Sequence, residues 1–212
     1  MLIREDHSRD DLGFGTERTV AVFDFDDTLS KGDSMWPFLF AIAGRTCCFL
    51  ALVEAAVHYG LDKLFLKPID DEGTYFKERL LPRLLAGKRV EDLKPVLEKM
   101  VKKQRWLAST LNTLRIHYAV GHHIVIASGS LDLYLPTLLE DIPYHALICT
   151  DMEVKAGRLT GRMLSGNCVR ARKAQRVEIY LNTHGPFAVS WGYGNAPHDI
   201  PMLDLLQHRV VI

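Results

Sequence analysis

The apolar run Val20-Ala21-Val22-Phe23 stops in a knot of three acids, Asp24, Asp26 and Asp27, followed by Thr28 and Leu29. Valine and phenylalanine in succession predict a strand covered on both faces, as in the middle of a parallel sheet. Three carboxylates at its end repel one another, so a cation or phosphate-handling chemistry has to justify them. In open α/β sheets ligands sit at the carboxyl ends of the strands, which is where these acids fall.

The sequence supplies partners for that strand. Further strands are expected over 122–127, 145–150, 187–191 and 209–212, with helices following the second strand to Leu139, over 170–181 and from about His198. Met152 to Gly161 reads as a hairpin turning at Lys155-Ala156-Gly157. Alternating strands and helices predict an α/β fold, a Rossmann-like, mainly parallel sheet with helices on both faces. Roughly a hundred residues separate the first strand from the second, far more than one crossover helix needs. An α-helical cap inserted between them is therefore expected over 34–118, with the core formed by 19–33 and 119–212 and a polar leader over 1–18.

Within the insertion, Met35 to Gly60 is strongly apolar and predicts a buried helical pair broken near Gly44. Arg45, Glu54 and His58 interrupt it, so no transmembrane segment is expected, because a spanning helix needs about 20 predominantly apolar residues. A second helix is expected from Glu91 to about Tyr118, its Lys99, Lys102, Lys103 and Arg105 forming a solvated face. Over the 212 residues Lys plus Arg equals Asp plus Glu at 26 each, which gives no global attraction to nucleic acid. Cys47, Cys48, Cys149 and Cys168 show no CxxC spacing, so a zinc site or disulfide framework is not suggested and a cytoplasmic setting is expected.

If the sheet is built this way, Asp24, Asp26, Ser128, Lys173 and the loop from Asn195 to Asp199 meet above one edge. Two carboxylates two residues apart can divide labour, one attacking as a nucleophile and the other moving protons. A phosphoryl group suits that arrangement, since it needs a metal, a lysine and hydroxyl or amide donors around its oxygens.

Asp24-Phe25-Asp26-Asp27-Thr28-Leu29 resembles the DxDx[TV] signature of the haloacid dehalogenase superfamily, and Ser128, Lys173 and Gly194-Asn195-Ala196-Pro197-His198-Asp199 resemble its later motifs in the right order. The long insertion, with Thr160-Gly161-Arg162 and Gly166-Asn167-Cys168, is most similar to the phosphoserine-phosphatase-like branch. The resemblance implies a phosphomonoester phosphatase in which Asp24 takes the phosphoryl group and Asp26 serves as general acid and base. It further implies that Ser128, Gly129 and Lys173 bind the phosphoryl group, and that Mg2+ is held by Asp24, the Asp26 carbonyl, Asn195 and Asp199. Dehalogenases of the superfamily lack the second aspartate, so Asp26 favours phosphoryl transfer.

Two departures qualify the resemblance. Asn195 stands where the motif has an acid, and Ser128-Gly129-Ser130 replaces a serine followed by two glycines, so strict phosphoserine specificity is not expected. Asp33 falls where the branch has a substrate-recognising glutamate, but it equally suits a helix cap. Trp36, with Phe38 and Phe40, could admit a lipid phosphate in place of a small phosphorylated metabolite, or could simply pack the insertion's own core. A weakened or inactive phosphate-binding scaffold, motivated by Asn195, and a phosphotransferase are the competing readings.

Overall fold

The computed structural model describes residues 18–212, so the leader expected over 1–18 lies, apart from Arg18, outside the described residues. In chain order the strands are β1 (Thr19–Phe23), β2 (His123–Leu131), β3 (Ala146–Thr150), β4 (Met152–Lys155), β5 (Arg158–Met163), β6 (Val189–Gly194) and β7 (His208–Val211). The helices are α1 (Met35–Ala43), α2 (Arg45–Leu64), α3 (Glu72–Leu85), α4 (Lys94–Lys103), α5 (Ala108–Ala119), α6 (Leu135–Leu138), α7 (Arg170–His184) and α8 (Ile200–Leu203). They form two compact units: one of residues to Ser34 with Gln104–Thr150 and Cys168–Ile212, the other of Met35–Lys103 with Asp151–Asn167.

The first unit holds a parallel five-stranded sheet in the order β3-β2-β1-β6-β7. Val20, Ala21, Val22 and Phe23 are fully buried, as expected of a central strand covered on both faces. Val20 and Val22 join Val177, Tyr180 and Met202 in a core beneath α7 and α8. On the other face Phe23 stacks on Tyr193, with ring centroids 4.4 Å apart. Strand order reverses between β1 and β6, and such a switch point opens a crevice at the carboxyl ends. Register sets its contents. Phe23 lies level with Ile126 and Tyr193, so Asp24, Ala127 and Gly194 come next on three adjacent strands.

Two strands run further than the sequence suggests. β2 continues through Ser128-Gly129-Ser130 to Leu131, but its register against β3 shifts between Ala127 and Leu131, which lifts those three residues out of the regular ladder. β6 keeps pairing with β1 through Tyr193, so Gly192-Tyr193-Gly194 continue the strand beyond the expected end at Trp191.

The helix expected from Glu91 to Tyr118 is in fact broken into a short 3₁₀ turn (Val90–Leu93), α4 and α5. The break over 104–107 has a backbone cause: the Arg105 carbonyl accepts from the Lys31 N–H (2.8 Å) and the Leu107 N–H donates to the Leu29 carbonyl (2.9 Å), pairings a continuous helix would forbid. α5, which the sequence placed in the insertion, lies in the sheet unit, and the β4–β5 hairpin, which the sequence placed in the core, lies in the helical unit.

In the helical unit α1 and α2 meet at Gly44, whose φ of 81° suits glycine, and the chain bends there by 115°. No single described helix is long and apolar enough to cross a membrane. The expectation that this apolar pair is buried holds for only part of it. α2 buries Cys48, Ala51 and Ala55, while Phe49, Leu50, Val57 and Leu64 on its other side are exposed, Phe49 to 65%. A helix packed along one face leaves its opposite face to solvent whatever residues it carries. The hairpin turns at Ala156-Gly157, both at positive φ, as a two-residue connection requires. β5 lies so close to α3 that a Cβ on Gly161 would sit 2.3 Å from the Pro82 Cα.

Candidate active site

The carboxylate loop is wound on the Phe25 carbonyl, which accepts the N–H groups of Thr28, Leu29 and Ser30. Asp24 extends the β1–β6 ladder by one bond, its N–H donating to the Tyr193 carbonyl at 2.8 Å. Its side chain is 4% exposed and ion-paired with Lys173, whose Nζ lies 2.7 Å from Asp24 Oδ1 and 2.6 Å from Asp199 Oδ1. Lys173 comes from the first turn of α7 and is itself buried, whereas Arg170 and Arg172 beside it are exposed, which separates it from the surface cations of that helix. Burial pushes the Asp24 carboxyl up, Lys173 opposes that, and the Asp199 charge adds to it. Burial by itself would lower the Lys173 ammonium, but the two carboxylates outweigh it and hold the group above its ordinary range.

Asp199 is 1% exposed, and its Oδ2 accepts the Asn195 N–H at 3.0 Å. Gly194 makes this contact feasible, because a Cβ there would lie 2.7 Å from the Asp199 Cβ. The Asn195 side-chain amide sits 3.0 Å from the Asp26 carbonyl oxygen, to which its Nδ2 donates.

Asp26 itself is held at both oxygens, Oδ1 by the Ser34 N–H at 2.9 Å and Oδ2 by the Ser130 hydroxyl. Burial pushes its carboxyl up to about 7; the Ser130 and Ser34 hydrogen bonds pull against this, and the negative charges of Asp33 and Asp24 add to it. Asp33 is exposed. Ser128 is buried, and its Oγ accepts the Ser130 N–H at 3.0 Å; it does not cap α6, whose N-cap is Tyr134. The Gly129 carbonyl accepts the Thr150 hydroxyl at 2.8 Å. Thr28, fully buried, has a hydroxyl with no hydrogen-bond partner of ordinary geometry, though it bears on the Asp24 carboxyl. Asp24, Asp26, Ser128, Gly129, Lys173, Asn195 and Asp199 all belong to the sheet unit, while Trp36 belongs to the helical unit, where its ring stacks on Phe40 at 5.6 Å.

Whether these groups suit a hard cation can be judged from their charge and donor set. Asp24, Asp199 and Lys173 form a buried trio with one negative charge in excess, before Asp26 is counted. The Asn195 amide, turned over, would set its oxygen beside the Asp26 carbonyl oxygen. Oxygen donors of this kind are what magnesium takes. Among the described residues no three His, Cys, Asp or Glu side chains converge as a metal cluster, so such a site would depend on the carbonyl and the amide.

Ser34, Ser130 and Tyr134 converge with Asp26, and of these the sequence pointed only to Ser130, as a departure from the glycine pair. Tyr134, four residues further on, had no signal beyond its spacing from Ser130.

A family model for haloacid dehalogenase-like hydrolases matches residues 21–204. Over 195 residues the chain is 27% identical to phosphoserine phosphatase SerB2 of Mycobacterium tuberculosis, an alignment covering 91% of this chain and 43% of that protein. The chain spans less than half the length of the curated relatives it matches. Among solved structures, a protein of unknown function from Bordetella pertussis Tohama I superposes with a TM-score of 0.73 at 23% identity, covering 92% of this chain and 90% of that one. A phosphoserine phosphatase described as a phospho-aspartyl intermediate analogue superposes with a TM-score of 0.58 at 18% identity, covering 92% and 87%.

Proposed function

Because the chain belongs to the haloacid dehalogenase-like hydrolase family, we propose that it hydrolyses phosphomonoesters through a phosphoryl group carried on Asp24, with magnesium as its cofactor. The observation that carries this reading is the Lys173 ammonium set between Asp24 and Asp199 in a buried site, with the Asp26 carboxyl two residues from Asp24. Asp24 attacks phosphorus and the ester P–O bond breaks. The Asp26 carboxyl, whose raised pKa keeps its protonated form populated near neutrality, gives its proton to the leaving oxygen. Asp26, now ionised, then takes a proton from water, whose oxygen attacks phosphorus; the bond to Asp24 breaks, inorganic phosphate leaves and Asp26 is protonated again. Ser128, the Gly129 backbone and Lys173 hold the phosphoryl oxygens. Magnesium, when bound, offsets phosphoryl charge, and Asp24, the Asp26 carbonyl, Asn195 and Asp199 are the residues that would hold it.

The substrate in this reading is a small phosphorylated molecule, a view supported by the phosphoserine phosphatases among the relatives, and the setting is cytoplasmic. A lipid phosphate admitted beside Trp36 is the alternative substrate, and preference for water-soluble esters in a direct comparison would end it. Turnover of a chromogenic phosphomonoester with magnesium, abolished by Asp24→Asn, is the expected result. The inactive-scaffold reading draws on the uncharged Asn195 amide beside the Asp26 carbonyl. It takes precedence if a broad substrate panel gives no turnover. Phosphoryl release to an acceptor other than water would instead identify a phosphotransferase.

A further inference from the structure

Asp26 is tied into a cluster that the proposed mechanism does not use. Its Oδ2 accepts the Ser130 hydroxyl, Ser130 Oγ accepts the Tyr134 hydroxyl at 2.9 Å, and the Ser34 hydroxyl reaches both Tyr134 (3.2 Å) and Ser130 (2.8 Å). All three hydroxyl residues are buried, Ser34 to 5% exposure, Ser130 to 2% and Tyr134 completely. Each hydroxyl has one proton to give. Three protons serve four contacts, so Ser34 gives its one to Tyr134 or to Ser130, and in either arrangement the donors lead through Ser130 onto the Asp26 carboxyl. Fully satisfied buried networks of this kind fix orientation, because any rotation would leave a buried polar group unpaired.

We propose that Ser130, backed by Tyr134 and Ser34, is a positioning residue that holds the Asp26 carboxyl in the orientation from which it protonates the leaving group. The assignment rests on the reading of Asp26 as general acid. Ser130 is suited to it by its place in the fold: it lies in the part of β2 lifted out of the regular ladder, with its N–H on Ser128 and its hydroxyl on Asp26, so one short segment serves both groups. A glycine at 130 could supply the N–H contact and not the hydroxyl.

A misplaced general acid harms esters in proportion to how badly their leaving group needs a proton. The test therefore compares kcat/KM, which reports steps up to phosphoryl transfer onto the enzyme, for an alkyl phosphate with a poor leaving group and a nitrophenyl phosphate with a good one. Ser130→Ala is expected to lower the alkyl value about 10- to 100-fold and the aryl value about threefold. Tyr134→Phe, which keeps the ring in its buried place, shifts the ratio in the same direction by a smaller factor. Ser34→Ala shifts it least, because its backbone N–H stays on Asp26. Thermal unfolding of each variant reports whether it has folded, and Tyr134→Phe carries the test if Ser130→Ala does not fold. Equal losses on the two esters, or an unchanged ratio in folded variants, overturn the proposal. Asp26→Asn separates this from a failure of the underlying reading: if it suppresses alkyl turnover selectively while Ser130→Ala does not, only the positioning role falls. If Asp26→Asn spares alkyl turnover, or the wild type turns over neither ester, the acid role and the proposal fall together.

Discussion

β1 and α2 both read in sequence as strongly apolar, α2 with the interruptions Arg45, Glu54 and His58, and the structure treats them differently. Val20 to Phe23 are completely buried, whereas α2 sinks only Cys48, Ala51 and Ala55 and presents Phe49, Leu50, Val57 and Leu64 outward. The difference lies in what covers each element. A central parallel strand has helices over both faces, here α7 and α8 on one and α5 on the other, and neighbouring strands along both edges, so its residues are enclosed. A helix encloses only the face it packs. Apolarity therefore predicts burial where pairing is obligatory, and predicts no more than a packed stripe where it is not. The same enclosure explains why the polar chemistry gathers in the sheet unit: carboxylates at the end of a buried strand are themselves desolvated, and Lys173 is the compensation.

The comparison breaks most readily at Lys173. Replacing it by Met leaves Asp24 and Asp199 facing each other in a buried site, and breaking a buried pair from one side costs about 3–5 kcal/mol. Denaturant titration should show that loss, and kcat for a phosphomonoester should fall about 10²–10³-fold; a variant as stable as the parent would show that the trio is not held together as described. Phe23→Ala comes next, with a stability loss of about 3–5 kcal/mol expected from the cavity left beside Tyr193 and His117.

A third effect depends on pH. His123, at the start of β2, hydrogen-bonds the Tyr180 hydroxyl through Nε2 at 2.8 Å, and burial, aided by the charges of His145, Arg18 and His184, lowers its pKa from the ordinary 6.5 to about 3. The unfolded chain takes up a proton below about pH 6.5 that the folded chain refuses, so the stability of neutral His123 is complete above that pH and declines as pH falls toward 3. Midpoints of urea unfolding between pH 7 and 4 should fall less steeply in His123→Leu than in the parent; parallel curves would remove His123 as the cause. The smallest effect is on α2, where Phe49→Ala should stay within about 0.5 kcal/mol of the parent. A loss of the size expected for Phe23→Ala would mean that the outer face of α2 is covered after all.

Much of the sheet unit was legible. The apolar strand with its acids, Ser128, Lys173 and the Asn195–Asp199 loop could be placed together because parallel pairing carries strand ends to one edge, and sequence order fixes which ends. The hairpin was legible from Ala156-Gly157. What could not be read depends on contacts between distant residues. The break between α4 and α5 arises from hydrogen bonds to Lys31 and Leu29, and no residue within 104–107 announces it. The Asp26 carboxyl is bonded by Ser34 and Ser130, with Tyr134 behind Ser130, and of these only Ser130 stood out in sequence, as a departure from the glycine pair. Asn195 was visible as a departure, but its approach to the Asp26 carbonyl was not.

The central claim is that Asp24 carries the phosphoryl group. Quenching the enzyme in acid during turnover of a phosphomonoester labelled in its phosphate, then mapping the labelled peptide, tests it directly. The account predicts label on Asp24, absent from Asp24→Asn and accumulating further in Asp26→Asn when the ester is a nitrophenyl phosphate, whose departure needs no proton from Asp26. Label on any other residue, or turnover with no labelled enzyme at any time, would contradict it.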